Sequence, residues 1–200
     1  EKFTELMKFY LWYGFVVIFG LVTMAFVVYP LIVKTMAGMG FGKFLGGVRD
    51  AQITAFSTSS SVATFPVTMD CLENKIGASK STASFVLPIG ATVNMDGTSL
   101  YQAVAVVAMA QFHMIDLSIA QQAIIVGTAT LASIGAAAIP SAGLVLMMVV
   151  LESVGLNPAW IAIIFPIDRI LDMCRTVVNV TGDATVTTII AKSEGELKLE

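Results

Sequence analysis

An all-α membrane protein of transmembrane helices and two re-entrant helical hairpins that form a repeat is what the sequence predicts, and three observations carry that expectation. Mean hydropathy is +0.86 with 56% hydrophobic and only 12% charged residues, about half the charged share of a soluble domain. Ser59 to Pro66 and Ser133 to Pro140 each open with Ser and close with Pro, inside apolar segments too short to cross a bilayer twice. Between Asn157 and Ala191, the residues Asp168, Asp172, Arg175, Asn179 and Asp183 follow at spacings of 4, 3, 4 and 4, which on one helix fall within about 80° of arc. Ionisable residues on an apolar helix cost about 2.5–3.5 kcal/mol each at the bilayer centre, so they are kept where they line a site or a wet cavity.

In order along the chain, Glu1 to Lys8 is a polar, helical entry and Phe9 to Val33 an apolar run closed by Lys34, giving a transmembrane helix over 1–36. Lys34, Lys43, Arg49 and Asp50 mark a surface segment. Ala51 to Met69 is broken by Ser57-Thr-Ser-Ser-Ser61 and Pro66, so two half-helices meeting at a Ser-rich tip are expected, a first hairpin over about 51–75. Asp70 to Ser81 reads as a charged loop. Thr82 to Phe112 spans again, but its centre, Gly90 to Thr98, holds Gly and Asx residues that predict an unwound turn with freed carbonyls. His113 and Asp116 close this span, and His113 receives no role. Leu117 to Leu131 and Ser141 to Gly155 flank the second tip as a hairpin over about 117–155, followed by the polar-striped helix over about 157–191 and a charged tail, so 37–200 reads as one core unit. The chain starts at Glu1 with no cleavable leader pattern, which suggests the C-terminal part of a longer protein. Cys71 and Cys174 lack metal or CxxC spacing and read as reduced structural thiols.

The repeat points to chemistry. Each tip precedes a helix carrying an Asn and an Asp, Asn94 with Asp96 and then Asn179 with Asp183; paired, interrupted short segments in corresponding positions mark the binding site of secondary transporters. Half-helix N-termini suit a carboxylate. Unwound carbonyls from Gly90 to Asn94, with Asp96, Asp183 and the Asn179 amide, offer the hard oxygen ligands a small hard cation needs. The absence of a Cys/His cluster argues against zinc and redox metals, and a net charge of −3 with scattered basic residues argues against a nucleic-acid surface. Arg175 presents a planar fork for a carboxylate. Asp172, three residues earlier on the same face, either neutralises Arg175 or holds a substrate ammonium; the second reading fits an acidic amino acid. Asp96, Asp168, Asp172 and Asp183 against Arg169 and Arg175 leave two uncompensated negatives that bound cations would relieve, although Asp168 and Arg169 sit near one end and read as solvated. An intramembrane hydrolase built on the tip serines lacks a GxSxG elbow and a His base, so no enzyme is expected. A channel or packing fragment would lack coupled, saturable binding of cation and substrate.

Asn94-Met-Asp-Gly-Thr98, the first tip with Ala63-Thr-Phe-Pro66, Ser133-Ile-Gly-Ala-Ala-Ala-Ile-Pro140, and Asp172-Met-Cys-Arg175-Thr-Val-Val-Asn179-Val-Thr-Gly-Asp183 together resemble the dicarboxylate/amino acid:cation symporters, the glutamate/aspartate transporter family, over essentially the whole chain. The resemblance implies that the two hairpin-containing halves form an inverted repeat, as in other secondary transporters. The resemblance implies the sixth transmembrane helix, then hairpin 1, helix 7, hairpin 2 and helix 8 of a multi-pass plasma- or inner-membrane protein. In the family these form most of an elevator-type transport domain that slides against a trimeric scaffold, here outside the chain. By position it implies substrate contacts at Ser59, Ser60, Ser61, Thr98, Ile139, Pro140, Ser141, Ala142, Gly143, Asp172, Arg175, Thr176 and Asn179, with Arg175 taking the side-chain carboxylate and Asp172 the amino group. It implies one sodium site at Gly90, Asn94, Asn179 and Asp183, a second at Thr92, Met95, Ser133, Ile134 and Ala136, and half of a third at Asn94 and Asp96. The function implied is sodium-coupled symport of aspartate or glutamate, with a proton- or sodium-coupled C4-dicarboxylate carrier as the alternative. Ala136 stands where some prokaryotic members have Thr, and Ser59 where some have Arg, a charge that Arg169 would replace. Gln102 stands where mammalian members have Glu, so neither proton cotransport nor potassium countertransport is expected through it.

Overall fold

The computed structural model describes residues 2–136 and 141–198. Helix α1 (Lys2–Thr23) continues through a π-helical turn, Met24–Val28, into α2 (Tyr29–Ala37). Together they are the one element among the described residues, Phe3–Ala37, long and apolar enough to cross a membrane. Gly38, at φ +74°, ends it. Helix α3 (Phe41–Thr58) starts ten residues before the expected first hairpin, so Lys43, Arg49 and Asp50 lie on its exposed turns and not in a separate surface segment. Phe44, Gly47, Val48, Ala51 and Ala55 form its buried stripe, at the three- and four-residue spacing of a helix face.

The first tip is Ser59, left-handed at φ +53°, and the extended Ser60. The Ser60 hydroxyl accepts from the Ala63 amide and starts α4 (Ser61–Asp70). A second π turn, Cys71–Ile76, prolongs α4, so the charged loop expected from Asp70 to Ser81 shrinks to a short link beginning at Gly77. Cys71, Leu72 and Ile76 are buried there; three apolar anchors hold the charged stretch helical. Ser79 caps α5 (Lys80–Val93), and α6 (Asp96–Phe112) follows. The break between them is only Asn94 and Met95, narrower than the turn expected over Gly90 to Thr98, because the helical bonds Asn94 N to Gly90 O at 2.8 Å and Ser99 N to Met95 O at 2.9 Å persist on both sides.

Helix α7 (Ile119–Ile134) opens on a capping box of Ser118 and Gln121, and α8 (Ala142–Ser153) returns. A 3-10 turn, Pro158–Trp160, leads into α9 (Ile161–Ser193). His113 stacks flat on Trp160 with ring centroids 3.6 Å apart. α9 is the axis of the bundle: α1, α2, α3, α5 and α6 all pack on it, and one apolar core runs from Tyr13 to Ala191. Beyond α9 the tail turns back on the link before α5, pairing Leu197 with Ala78 and Lys198 N with Gly77 O at 2.9 Å. The Glu196 carboxylate accepts from the Ser79 hydroxyl and, at 2.5 Å, from Thr82 Oγ1; these donors hold it below the ordinary glutamate range.

Candidate functional site

Three polar clusters, two buried and one half-buried, lie against α9. The first centres on Arg175, 1% exposed. Its Nη2 donates to Asp172 Oδ1 at 2.5 Å and its Nη1 to Asp168 Oδ1 at 3.0 Å, while the guanidinium lies 3.8 Å from the Tyr101 ring centroid. Tyr101 in turn donates its hydroxyl to Asp168 at 2.7 Å. Asp168 is thus buried and paired, not solvated, because seven residues bring it two turns before Arg175 on the same helix face. Arg169 is the exposed one, 3.9 Å from Asp172 Oδ2. That same Oδ2 accepts the Ser141 backbone amide at 2.9 Å, joining the base of α8 to α9. Asp172 is thus paired with Arg175 in this arrangement. Arg175 Nε, Ser59 Oγ and Gln102 Oε1 are buried without a hydrogen-bond partner among the described residues.

The second cluster links α6, α8 and α9. Asn179 Oδ1 accepts the Gly97 amide at 2.8 Å, and its Nδ2 reaches Met95 Sδ at 3.2 Å and Thr98 Oγ1 at 3.3 Å. Gln102, fully buried, donates to Gly143 O at 2.8 Å. A Cβ on Gly143 would meet the Thr98 methyl at 2.7 Å, and one on Gly97 would meet Arg175 O at 2.5 Å, so both glycines are needed for these backbones to approach.

The third cluster surrounds Asn94. Its Nδ2 donates to Asp183 Oδ1 at 2.9 Å and Asn179 O at 3.3 Å, and Asp96 Oδ2 accepts the Tyr29 hydroxyl at 2.6 Å. A Cβ on Gly90 would lie 2.6 Å from Asp183 Oδ1. Neither Asp96 nor Asp183 has a basic partner among the described residues. Two separate carboxylates with amide and backbone oxygens suit a monovalent hard cation. No group of three acidic, His or Cys side chains that could hold a metal ion exists among the described residues.

The remaining expected residues divide. Ser59 and Ser61 are buried at the first tip and Ser60 caps α4, while Ala142 begins α8. The Thr176 hydroxyl returns to Asp172 O at 2.9 Å within its own helix. Thr92 and Ile134 are exposed, and Ser133 and Ala136 are buried; no hydrogen bond among the described residues joins Thr92 to Ser133, Ile134 or Ala136. Ile139 and Pro140 lie outside the described residues. Sequence reasoning missed Tyr29 and Tyr101. Tyr101 stands three residues after Thr98, the helical step that should have marked it; Tyr29 gave no local signal.

Among known proteins, excitatory amino acid transporter 1 of Rattus norvegicus is 48% identical over 187 residues, 93% of this chain and 34% of that protein. Excitatory amino acid transporter 3 of Oryctolagus cuniculus is also 48% identical over 187 residues, 93% of this chain and 36% of that protein. Excitatory amino acid transporter 4 of Rattus norvegicus is 47% identical over 189 residues, 94% of this chain and 34% of that protein. The chain therefore spans about a third of the length of the curated relatives it matches. The sequence model of the sodium:dicarboxylate symporter family matches residues 1–193, and the chain belongs to that family.

Proposed function

We propose that this chain is the substrate- and cation-binding part of a sodium-coupled symporter for acidic amino acids. The observation that carries the reading is Arg175, buried and clamped between Asp168 and Asp172, while Asp96 and Asp183 stand without basic partners among the described residues. A buried guanidinium held ready for a planar anion binds a carboxylate bidentately. When the substrate carboxylate takes the Arg175 fork, Asp172 is released from it to receive the ammonium, and Asp168 with Tyr101 keeps the guanidinium in place. Thr98, Asn179, Thr176 and the tips at Ser59 to Ser61 and Ile139 to Gly143 complete the substrate contacts. Sodium, bound with its hydration shell replaced by protein oxygens, offsets the charge of Asp183 and Asp96, one ion with Gly90, Asn94 and Asn179 and others with Thr92, Met95, Ser133, Ile134 and Ala136 and with the Asn94–Asp96 pair. The two re-entrant hairpins belong to an elevator-type transport domain, 37–200, in a multi-pass cell-membrane protein, a homotrimer through a scaffold carried elsewhere, in contact with lipid. One observation favours a C4-dicarboxylate as second reading: Asp172 already neutralises Arg175 at 2.5 Å and then needs no substrate ammonium.

Calorimetric titration of the full-length purified protein with L-aspartate and succinate, each in sodium and in choline buffer, decides between them. The proposal expects sodium-dependent aspartate binding, weak succinate binding, and impairment in both Arg175→Ala and Asp172→Ala. Equal affinity for succinate, or indifference to sodium, refutes it.

A further inference from the structure

We propose that Tyr29 is a positioning residue for the sodium ion at Asp96, an inference that rests on the reading of Asn94 and Asp96 as cation ligands. Tyr29 lies on the first long helix, outside every motif that carries the resemblance to the family. Buried positions on that helix, Tyr13, Val17, Leu21, Ala25, Tyr29, Val33 and Ala37, recur every four residues. A regular α-helix has 3.6 residues per turn, so such a stripe drifts by about 40° at each step. The π turn at Met24–Val28, directly before Tyr29, winds more widely and counters that drift locally, and such turns are frequent at functional sites. Tyr29 is therefore delivered to the α6/α9 side with 4% exposure.

What it meets there is polar and fitted. Its hydroxyl donates to Asp96 Oδ2 at 2.6 Å. Opposite lies Gly182, where an added Cβ would stand 2.8 Å from the Tyr29 oxygen and 2.5 Å from Asn94 Nδ2. The missing side chain thus makes room for both groups. One oxygen of Asp96 is engaged by Tyr29, and Oδ1 has no donor among the described residues. The tyrosine fixes the plane of the carboxylate and leaves Oδ1 as the ligand. Hydrogen-bonded partners behind a ligand orient it, and losing one costs about 10–100-fold in ion affinity.

Tyr29→Phe removes the hydroxyl and keeps the ring. In the full-length purified protein, sodium chloride replaces choline chloride without amino acid, and the sodium midpoint is read by calorimetry or intrinsic fluorescence beside thermal unfolding. The expected result is a sodium midpoint raised about tenfold or more, with aspartate affinity at saturating sodium and the unfolding midpoint unchanged. Asp96→Asn is the reference. If Asp96→Asn loses sodium affinity and Tyr29→Phe does not, Tyr29 is only packed there and the inference falls alone. If neither changes it, Asp96 is no ligand and the cation reading falls with it. A Tyr29→Phe protein that loses sodium, aspartate and thermal stability together shows a general packing defect, which also overturns the inference.

Discussion

Asp172 grips two partners with its two oxygens: Oδ1 accepts from Arg175 across 2.5 Å and Oδ2 accepts the Ser141 amide across 2.9 Å. One carboxylate thus ties the buried arginine of α9 to the start of α8. Asp172→Asn keeps an acceptor for Ser141 but loses the charge that a substrate ammonium needs. Calorimetry on this variant is expected to find aspartate weakened by 100-fold or so, on the scale of a lost buried ion pair, with succinate weakened much less. Equal losses for both ligands would mean that Asp172 serves Arg175 alone.

Close approach of α6 to α9 makes a second prediction. In Gly97→Ala the added methyl would stand 2.5 Å from the Arg175 carbonyl, a backbone atom, whereas in Gly143→Ala it meets the end of the Thr98 side chain. Overpacking against backbone costs about 1–3 kcal/mol. Thermal unfolding in detergent should therefore fall further for Gly97→Ala than for Gly143→Ala; the reverse order would contradict the packing.

Gln102 donates to Gly143 O at 2.8 Å in a fully buried setting. In Gln102→Glu only the protonated acid can replace that donor, since an ionised carboxylate accepts and does not donate. Substrate binding by this variant is expected to weaken as pH rises while the parent protein stays flat across the same range. A flat profile for both would separate Gln102 from the hairpin.

At the chain end, Ser79 and Thr82 depress the Glu196 carboxyl. A depressed acid contributes above its unfolded value, about 4.3, and loses its contribution as pH falls through the lower folded value. The tail contact should therefore persist throughout neutral and mildly acidic conditions. Hydrogen exchange at residues 76–82 is expected to be unchanged from pH 7 to pH 5 after correction for intrinsic rates and faster at pH 7 in Glu196→Ala; protection that fades between pH 7 and pH 5 would contradict it.

Much of this was legible because membranes leave few choices. The serine run inside an apolar segment marks the helix break at Ser59 and Ser60, and the spacing of Asp168, Asp172, Arg175, Asn179 and Asp183 puts them on one face of any helix. The first half of α3 was hidden because Gly42, Gly46 and Gly47, together with Lys43 and Arg49, break the apolar pattern, although Phe44, Val48, Ala51 and Ala55 keep the period. Asp168 was misjudged from its place near the start of the helix, when its fate was set by Arg175 seven residues on. Tyr29 was illegible, since its partner Asp96 lies 67 residues away and no local pattern encodes such a pairing.

α9 bears on how the molecule is assembled. From Val178 to Thr185 every residue is buried, so this part of the helix has protein on all sides. Among the described residues only Phe3–Ala37 qualifies to cross a membrane by length and composition. Side chains on every face of α9 from Val178 to Thr185 are therefore fitted to protein, so α9 and the helices packed around it hold together as one cooperative unit.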